Sequence, residues 1–386
     1  MIASVRVEML GIFPRLMIAT LGFAPLLGCG GDGTNPFIID SIPAQDTTSD
    51  PNTGADATPD NRFLFSPSEN LILNSVDFDE TTNQLVLNNL PFDNSDITGG
   101  IYEQVQQINA RTIEYRNERA GDQPFDTYYA VFIRSPEYEA TAVASGDYLG
   151  FGYGGANLRR IGNTITLPGV ATYTYAGDYA GYRTFDQGRG GIELVTGDIR
   201  IDVDFADIDV VENIGGTLRG AITNRQRAAP GGGAAIPSAL PNVLLVDTEF
   251  NRDGEINEAE AGTAFEGDPR DSGIYDGGFN GEDAAAVAGF IKIEGVAGIQ
   301  RVGFDTVTYS QVIDGQAQLF TQTSLPNDLR DVRERIGRGQ IIADFAFQLP
   351  AGATLVERET DTIVLSSEFN AREVGVFSTD SVNRDP

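Results

Sequence analysis

Hydrophobic and polar residues alternate along much of the chain beyond residue 61. The clearest case is DIRIDVDF at 198–205, where Ile199, Ile201, Val203 and Phe205 share one face and polar residues occupy the other. A period of two predicts a half-buried β-strand at 198–205. The same reasoning predicts further short strands around 217–223, 242–250, 263–266, 273–279 and 286–294.

Helical periodicity is scarce. The stretch PNDLRDVRERIGRG predicts one short helix, with Asn327 as N-cap and Gly337 as its end. Residues 101–118 are ambiguous, because Ile101, Val105 and Ile108 are spaced helically while the segment RTIEYR alternates. The insert AAPGGGAAIPSALP at 228–241 is predicted to be a mobile loop between strands.

The N-terminus has the pattern of a secretory signal. Arg6 and Arg15 precede a short apolar run that ends in Leu26-Leu27-Gly28-Cys29, which resembles a bacterial lipobox. The resemblance implies removal of residues 1–28 and acylation of Cys29, with palmitate-type chains that give stable membrane anchoring. Gly30, rather than Asp, after the cysteine implies transfer to the outer membrane. A plain signal peptide with an incidental cysteine is the alternative.

Residues 29–61 are rich in Gly, Pro, Asp, Thr and Asn. This composition predicts a flexible tether between the anchor and a folded body.

The body is predicted to be all-β. Its many short strands, separated by Gly and Asp, favour an antiparallel meander closed into a barrel, because closure removes exposed sheet edges. The segment ATYTYAGDYAGY places Tyr173, Tyr175 and Tyr179 on one face with Gly177 and Gly181, and such glycines suit the bends of a barrel. A membrane-spanning barrel also alternates, but it needs no lipid anchor, so we expect a soluble barrel.

Composition excludes several kinds of chemistry. The chain carries 56 acidic and 26 basic residues, a formal net charge of -30, which disfavours nucleic-acid binding. Histidine is absent and Cys29 is the only cysteine, so a Ser-His-Asp triad and a Cys/His zinc site are excluded within one chain. We therefore expect no enzymatic activity; two-carboxylate catalysis remains the enzymatic alternative.

One segment, EFNRDGEINEAE at 249–260, matches the spacing of an EF-hand calcium loop apart from Glu at its first position. The candidate calcium ligands are Glu249, Asn251, Asp253, Glu255 and Glu260. A true EF-hand needs a flanking helix on each side. The flanks here predict strands, so a polar hairpin turn and a structural calcium site are both open interpretations.

Four further segments resemble the transferrin-binding protein B-like bacterial lipoproteins. They are LGFGYGGANLRRIGNTITLPGVATYTYAGDYAGYRTFD, VTGDIRIDVDFADIDVVENIGGTLRGAITNRQ, GIYDGGFNGEDAAAVAGFIKIEG and AREVGVFSTD. The third departs from the family pattern at Val287, where Glu is usual. The strong part of the resemblance covers 148–295.

The resemblance implies an eight-stranded antiparallel soluble β-barrel joined to a β-rich handle-like domain. It places the handle at 62–160, the barrel at 161–300 and strands that complete the body at 301–386. The family's members have two such lobes and capture a host iron carrier, whereas this chain has room for one lobe. No binding residue of the family transfers to this sequence.

These expectations favour an outer-membrane surface lipoprotein that binds a nutrient or iron carrier, with a protein ligand and a TonB-dependent receptor as expected partners. The alternative is a structural or adhesive envelope lipoprotein without a small ligand. Haem ligation by tyrosine is a further alternative, but Tyr173, Tyr175, Tyr179 and Tyr182 are expected to be core residues.

Acylation of Cys29 gives the first prediction. Replacing Cys29 with Ala should release the protein from the membrane fraction and abolish uptake of labelled palmitate, because the thiol that carries the acyl chain is gone. Cell fractionation and metabolic labelling measure both effects. A variant that stays in membranes and takes up label like the wild type would refute the anchor.

Overall fold

The computed structural model describes residues 57–91, 100–118, 127–146, 150–162, 165–189, 191–206 and 208–385. The predicted signal peptide, Cys29 and almost all of the tether lie outside these residues. The described chain is nearly all β, as predicted, and none of its helices is long and apolar enough to cross a membrane.

The first sheet is an eight-stranded antiparallel meander that curls into a half-barrel. Its strands are β1 (Asn61–Leu64), β2 (Ser75–Asp79), β3 (Gln84–Asn88), β4 (Gly100–Gln107), β5 (Thr112–Glu118), β6 (Thr127–Arg134), β7 (Tyr138–Ala144) and β8 (Gly154–Arg160). The order is β1-β8-β7-β6-β5-β4-β3-β2. The ambiguous stretch 101–118 is therefore a pair of strands.

The second sheet begins with β9 and contains the alternating segment at 198–205. Its strands up to residue 296 are β9 (Thr172–Phe185), β10 (Ile192–Asp204), β11 (Ile214–Ala228), the two-residue β12 (Ala235–Ile236), β13 (Val243–Asn251), β14 (Glu255–Phe265), β15 (Asp268–Asn280) and β16 (Ala286–Val296). Each of the six segments predicted from the alternating pattern overlaps one of these strands. Most are longer than predicted.

A third sheet interrupts the second. It consists of β17 (Ile299–Ile313), β18 (Gln316–Thr323) and β19 (Thr354–Ser366), in the order β18-β17-β19. Between β18 and β19 lies α1 (Arg330–Gly337), the one α-helix of the described chain. Its predicted end at Gly337 is confirmed. The predicted cap at Asn327 is wrong, because the helix begins later and the Asp328 carboxylate accepts the Arg330 N–H at 2.9 Å.

The last strand, β20 (Asn370–Asp385), returns to the second sheet and pairs with both β16 and β9. Together with the pairing of β10 and β11, this closes an eight-stranded antiparallel barrel. The fold class expected from the family resemblance is confirmed. Residues 301–386 divide between the third sheet and the closing barrel strand.

Aromatic side chains fill much of the barrel interior. Tyr175, Phe205 and Phe279 are fully buried, and their rings meet edge to face at centroid distances of 5.6–5.9 Å. Tyr173 and Tyr179 belong to the same cluster, so these tyrosines are core residues, as expected. Tyr182 points outward, into the apolar cluster between the barrel and the first sheet.

That shared cluster and a set of polar contacts hold the first sheet against the barrel wall. Arg62 of β1 reaches the barrel and donates to the carbonyl of Gly277 at 2.6 Å and to Asp276 Oδ2 at 2.8 Å. The buried hydroxyl of Tyr138 donates to the carbonyl of Gly278 at 2.5 Å. The two sheets are therefore joined by directional bonds as well as by packing.

Two glycines face each other where the first and last barrel strands meet. Gly181 of β9 is opposite Gly375 of β20, and a Cβ on Gly181 would lie 2.5 Å from the Gly375 Cα and from the Val374 carbonyl oxygen. The ring of Tyr179 occupies the space where a Cβ on Gly375 would lie. Glycine is therefore required on both sides of this pairing.

We expect Gly181→Ala to lower the free energy of unfolding by about 1–3 kcal/mol, because the added methyl group must displace backbone at the barrel closure. Gly169→Ala is the matched control, since a Cβ there meets nothing within 4 Å. It should change stability by less than about 0.5 kcal/mol. Urea unfolding measures both variants, and equal stabilities would contradict the close approach.

The Arg62–Asp276 contact gives a pH prediction. Burial raises the pKa of Asp276 from 3.8 to about 6, and Arg62 only partly opposes this. The folded protein thus keeps this proton to a higher pH than the unfolded chain does. Ionisation of Asp276 should therefore lower the stability of the wild type, relative to Asp276→Asn, by up to about 3 kcal/mol as pH rises from 4 to 6.

The control for this experiment is Asp202→Asn, on the outer barrel wall. Burial raises the pKa of Asp202, but hydrogen bonds from Thr174 and Arg200 outweigh it and hold that pKa below 3.8. The stability that Asp202 contributes is therefore lost only below about pH 4, and its difference from the wild type should stay nearly flat between pH 4 and 7. Urea unfolding between pH 4 and 7 measures both differences. A flat difference for Asp276→Asn would show that Arg62 fully offsets the burial.

Candidate functional site

Charged residues lie inside one end of the barrel, where the third sheet and α1 cover its mouth. The side chains of four arginines and three carboxylates are no more than 12% exposed there: Arg183, Arg225, Arg227, Arg270, Glu193, Asp271 and Glu373. They leave one positive charge in excess, in a chain whose formal charge is -30. We call this set the charged layer.

Arg225 and Glu373 form the centre of the charged layer. Both side chains are 2% exposed and they form an ion pair across the barrel interior. Tyr179 donates its hydroxyl to Glu373 Oε1 at 2.7 Å. Burial alone would raise the pKa of Glu373, but Arg225 and Tyr179 reverse this and hold it below its usual value.

Glu193 holds two further arginines. Arg183 Nη1 lies 3.4 Å from Glu193 Oε2, and Arg227 Nη1 lies 3.2 Å from the same oxygen. Arg227 also donates to the Ser238 carbonyl at 3.2 Å and to the Pro237 carbonyl at 3.0 Å. These two arginines are thus fixed by the strands and by the segment that follows β12.

Above the charged layer lies a cavity of about 510 Å³, between the barrel mouth, α1 and the start of β17. The residues that line it are Arg227, Ser238, Ala239, Leu240, Pro241, Phe265, Arg270, Ala297, Gly298, Ile299, Gln300, Arg301, Ile336, Gly339, Ile341 and Ile342. This lining, from the described part of the chain, contains three arginines and no carboxylate. Its volume is typical of small-molecule sites, and polar and apolar groups contribute about equally to its surface.

Arg270 differs from the other two arginines of the cavity. Its side chain is 5% exposed; Nη2 donates to the Val296 carbonyl at 3.0 Å, and Nε lies 3.5 Å from Asp271 Oδ1 without a hydrogen bond. The pKa of Arg270 is lowered to about 10, mainly by burial and also by Arg183, Arg225 and Arg227, while Asp271 partly opposes the shift. The guanidinium nevertheless stays charged at neutral pH.

The segment predicted to be a mobile loop, 228–241, is held at both ends. The Gly231 N–H donates to Glu114 Oε1 of the first sheet at 3.0 Å, and the Ser238 carbonyl accepts from Arg227. Glu114 is fully buried and also accepts the Tyr182 hydroxyl at 3.2 Å. These contacts could not be predicted, because the partner carboxylate is more than a hundred residues away in sequence and no local pattern reveals it. Mobility of the segment stays a prediction.

The opposite end of the barrel is different. A cavity of about 410 Å³ there is lined by Asp202, Asp204 and Asp247, with Arg219 and several hydroxyl groups. Its surface is mainly polar and acidic, in line with the chain as a whole. The arginine-lined cavity is therefore a local departure from the overall charge.

The calcium-loop residues lie at the β13–β14 connection, which confirms a hairpin turn without flanking helices. Asn251 Oδ1 accepts the N–H groups of Asp253 and Glu255 at 3.0 and 2.9 Å, and Gly254 has a φ of +70°. The structure therefore brings Asn251, Asp253 and Glu255 together at the turn.

The other two calcium candidates lie away from the turn. Glu260 pairs with Ile274, four residues along β15 from the partner of Glu255, which separates the two glutamates by about 13 Å. Glu249 lies on β13 opposite Thr217. No group of three or more acidic, Cys or His residues in the described ranges is placed to hold a metal ion. Calcium binding at the turn stays a prediction.

Sequence reasoning missed the charged layer, although the sequence contains a signal for it. Arg183 falls on the same alternating face as Tyr179 and Gly181, and Glu193 falls on the inward face with Val195. Charges at inward positions of a barrel strand must pair inside the barrel. The strands that supply the partner charges are determined by how the barrel closes. The pattern of a single strand does not specify this closure.

Comparisons with known proteins add no relative. No protein-family profile matches the chain, and a search of curated proteins finds no match. The likeness to transferrin-binding protein B-like lipoproteins therefore depends on the quoted segments, and the candidate site depends on its geometry.

Proposed function

We propose that the protein is a lipid-anchored surface protein of the outer membrane that binds and holds a ligand, in the manner of nutrient or iron-carrier capture. The lipobox at Cys29 and the polar segment 29–61 support display of the body at a membrane face. The resemblance to transferrin-binding protein B-like lipoproteins supports capture as the kind of work done.

The cavity above the charged layer carries this proposal. It has the size of a ligand site, and the described residues that line it include no carboxylate, thiol or imidazole to transfer a proton at neutral pH. Its walls come from the barrel, α1 and β17, and the barrel is bonded to the first sheet through Arg62 and Tyr138. A preformed cavity without an acid or base favours binding over turnover.

A structural or adhesive envelope protein is the second candidate. The third sheet favours it, because several of its apolar side chains are exposed: Val312, Leu319, Leu355, Val356 and Val364. Apolar residues gathered on an exposed sheet are typical of protein contact surfaces. In this case the partner is another envelope component and the cavity has no role.

Two measurements test the proposal. An antibody against the folded body should label intact cells that express the wild type, because the anchor places the body outside. The immobilised chain should also capture a partner saturably from a panel of haem, ferric iron carriers and soluble proteins. With a formal charge of -30, capture of a basic partner should weaken as salt rises, and the ligand should be recovered unchanged.

The structural alternative gives the opposite results. The antibody would then label only permeabilised cells, or it would label intact cells while no ligand binds saturably. Deletion of the gene would in addition make the envelope leaky. That combination would overturn capture. A ligand recovered in altered form would overturn the assignment as a binding protein.

A further inference from the structure

The arginine-lined cavity contains one cation whose donors are not all used. Arg227 directs its donors to Glu193 and to the segment around Ser238. Arg301 forms a two-point ion pair with Glu266 and donates to Thr362 at 3.1 Å. By contrast, Nε and Nη1 of Arg270 donate no hydrogen bond to any described residue.

The burial of Arg270 makes this incomplete pairing costly. Its side chain is 95% buried, and its nearest carboxylate, Asp271, also accepts the Thr263 hydroxyl at 2.6 Å. Three other arginines lie close enough to repel it. A buried cation without full compensation destabilises the protein unless an anion or more hydrogen bonds are supplied.

The rest of the cavity suits an apolar body rather than a second charged group. Ile299, Ile336 and Ile342 form much of the wall beside α1, and Ile341 lies exposed at the edge. None of the described lining residues is acidic, and the carboxylates beside the wall, Glu193, Asp271 and Glu266, each pair with one of its arginines. The polar part of the cavity thus consists of three arginines with Ser238 and Gln300, and the remainder is mostly aliphatic.

We propose that this cavity binds a small amphipathic anion, with a carboxylate or phosphate head at Arg270 and an aliphatic tail along the isoleucine wall. Arginine binds both heads through paired N–H groups, and a guanidinium withdrawn from water binds them more strongly than an exposed one. This inference gives the proposed binding function a class of ligand. It rests on the proposed function in one respect, namely that the cavity is a binding site.

The test uses the full chain with Cys29→Ala, purified without detergent, and isothermal titration with decanoate, decyl phosphate and decanol below their aggregation concentrations. We expect saturable binding of at least one of the two anions, at least tenfold tighter than decanol. Whichever anion binds more tightly identifies the head. Decanol binding equally well, or no anion binding at all, would overturn the proposal.

Arg270→Met isolates the head contact, because it removes the charge and keeps a side chain of similar length. It should weaken anion binding tenfold to a hundredfold and leave decanol unchanged, since hydrogen bonds to charged groups contribute on this scale. Arg200→Met, on the outer barrel wall, removes the same charge from an exposed ion pair and should bind like the wild type. Equal binding by the two variants would contradict a specific contact.

A second pair of variants avoids the core. Ile341→Glu places a carboxylate at the edge of the cavity from an exposed position and should reduce anion binding at least tenfold by repulsion. Ile313→Glu makes the same change at the β17–β18 hairpin, away from the cavity, and should have no effect. Unchanged binding by Ile341→Glu would place the anion elsewhere.

The salt dependence of binding distinguishes the anion site in the cavity from capture of a basic partner at the protein surface. Added salt screens the long-range repulsion between the acidic protein and an incoming anion, so the association rate should rise with ionic strength. Capture of a basic partner should instead weaken. A salt-weakened partner without any anion binding would leave the binding function intact and overturn only the cavity assignment.

Discussion

Barrel closure at Gly181 and Gly375 is the constraint on which the rest of the structure depends. The backbones of the first and last barrel strands approach too closely there for any side chain. The ring of Tyr179 lies over the space left by Gly375, and its hydroxyl reaches Glu373. The strand register that permits this approach also pairs Glu373 with Arg183 of β9 and turns its carboxylate to Arg225 across the interior, so closure and the buried ion pair form together.

The charged layer divides the barrel into two parts. Below it, a cluster of aromatic and aliphatic side chains fills the interior. Above it, the cavity has an arginine-rich floor and aliphatic walls. Buried ion pairs contribute little net stability compared with well-packed apolar residues. Stability alone therefore does not explain the charged layer, and the proposed anion site above it offers one reason for the layer.

The sequence was informative where structure depends on local periodicity. Alternation identified the strand at 198–205 and its neighbours, and the glycines beside Tyr179 correctly indicated a barrel. Contacts between distant segments were not predictable. Glu114 fixes Gly231 from another sheet, and the third sheet inserted before β20 leaves no mark on the period of two. Arg270 is similar, because a charge near the end of a strand such as β15 normally faces solvent, whereas here it lines a cavity with residues of α1 and β17 that are distant in sequence.

We infer that the arginine-lined cavity holds an anionic ligand. The most direct measurement is a high-resolution crystal structure of the protein isolated from its own cells without added amphiphile, supported by native mass spectrometry of the same sample. The account predicts elongated density in the cavity, with its head within hydrogen-bonding distance of Arg270 Nη1, and a bound mass to match. Only water in the cavity, with Arg270 fully bonded to protein groups and no bound mass, would contradict it.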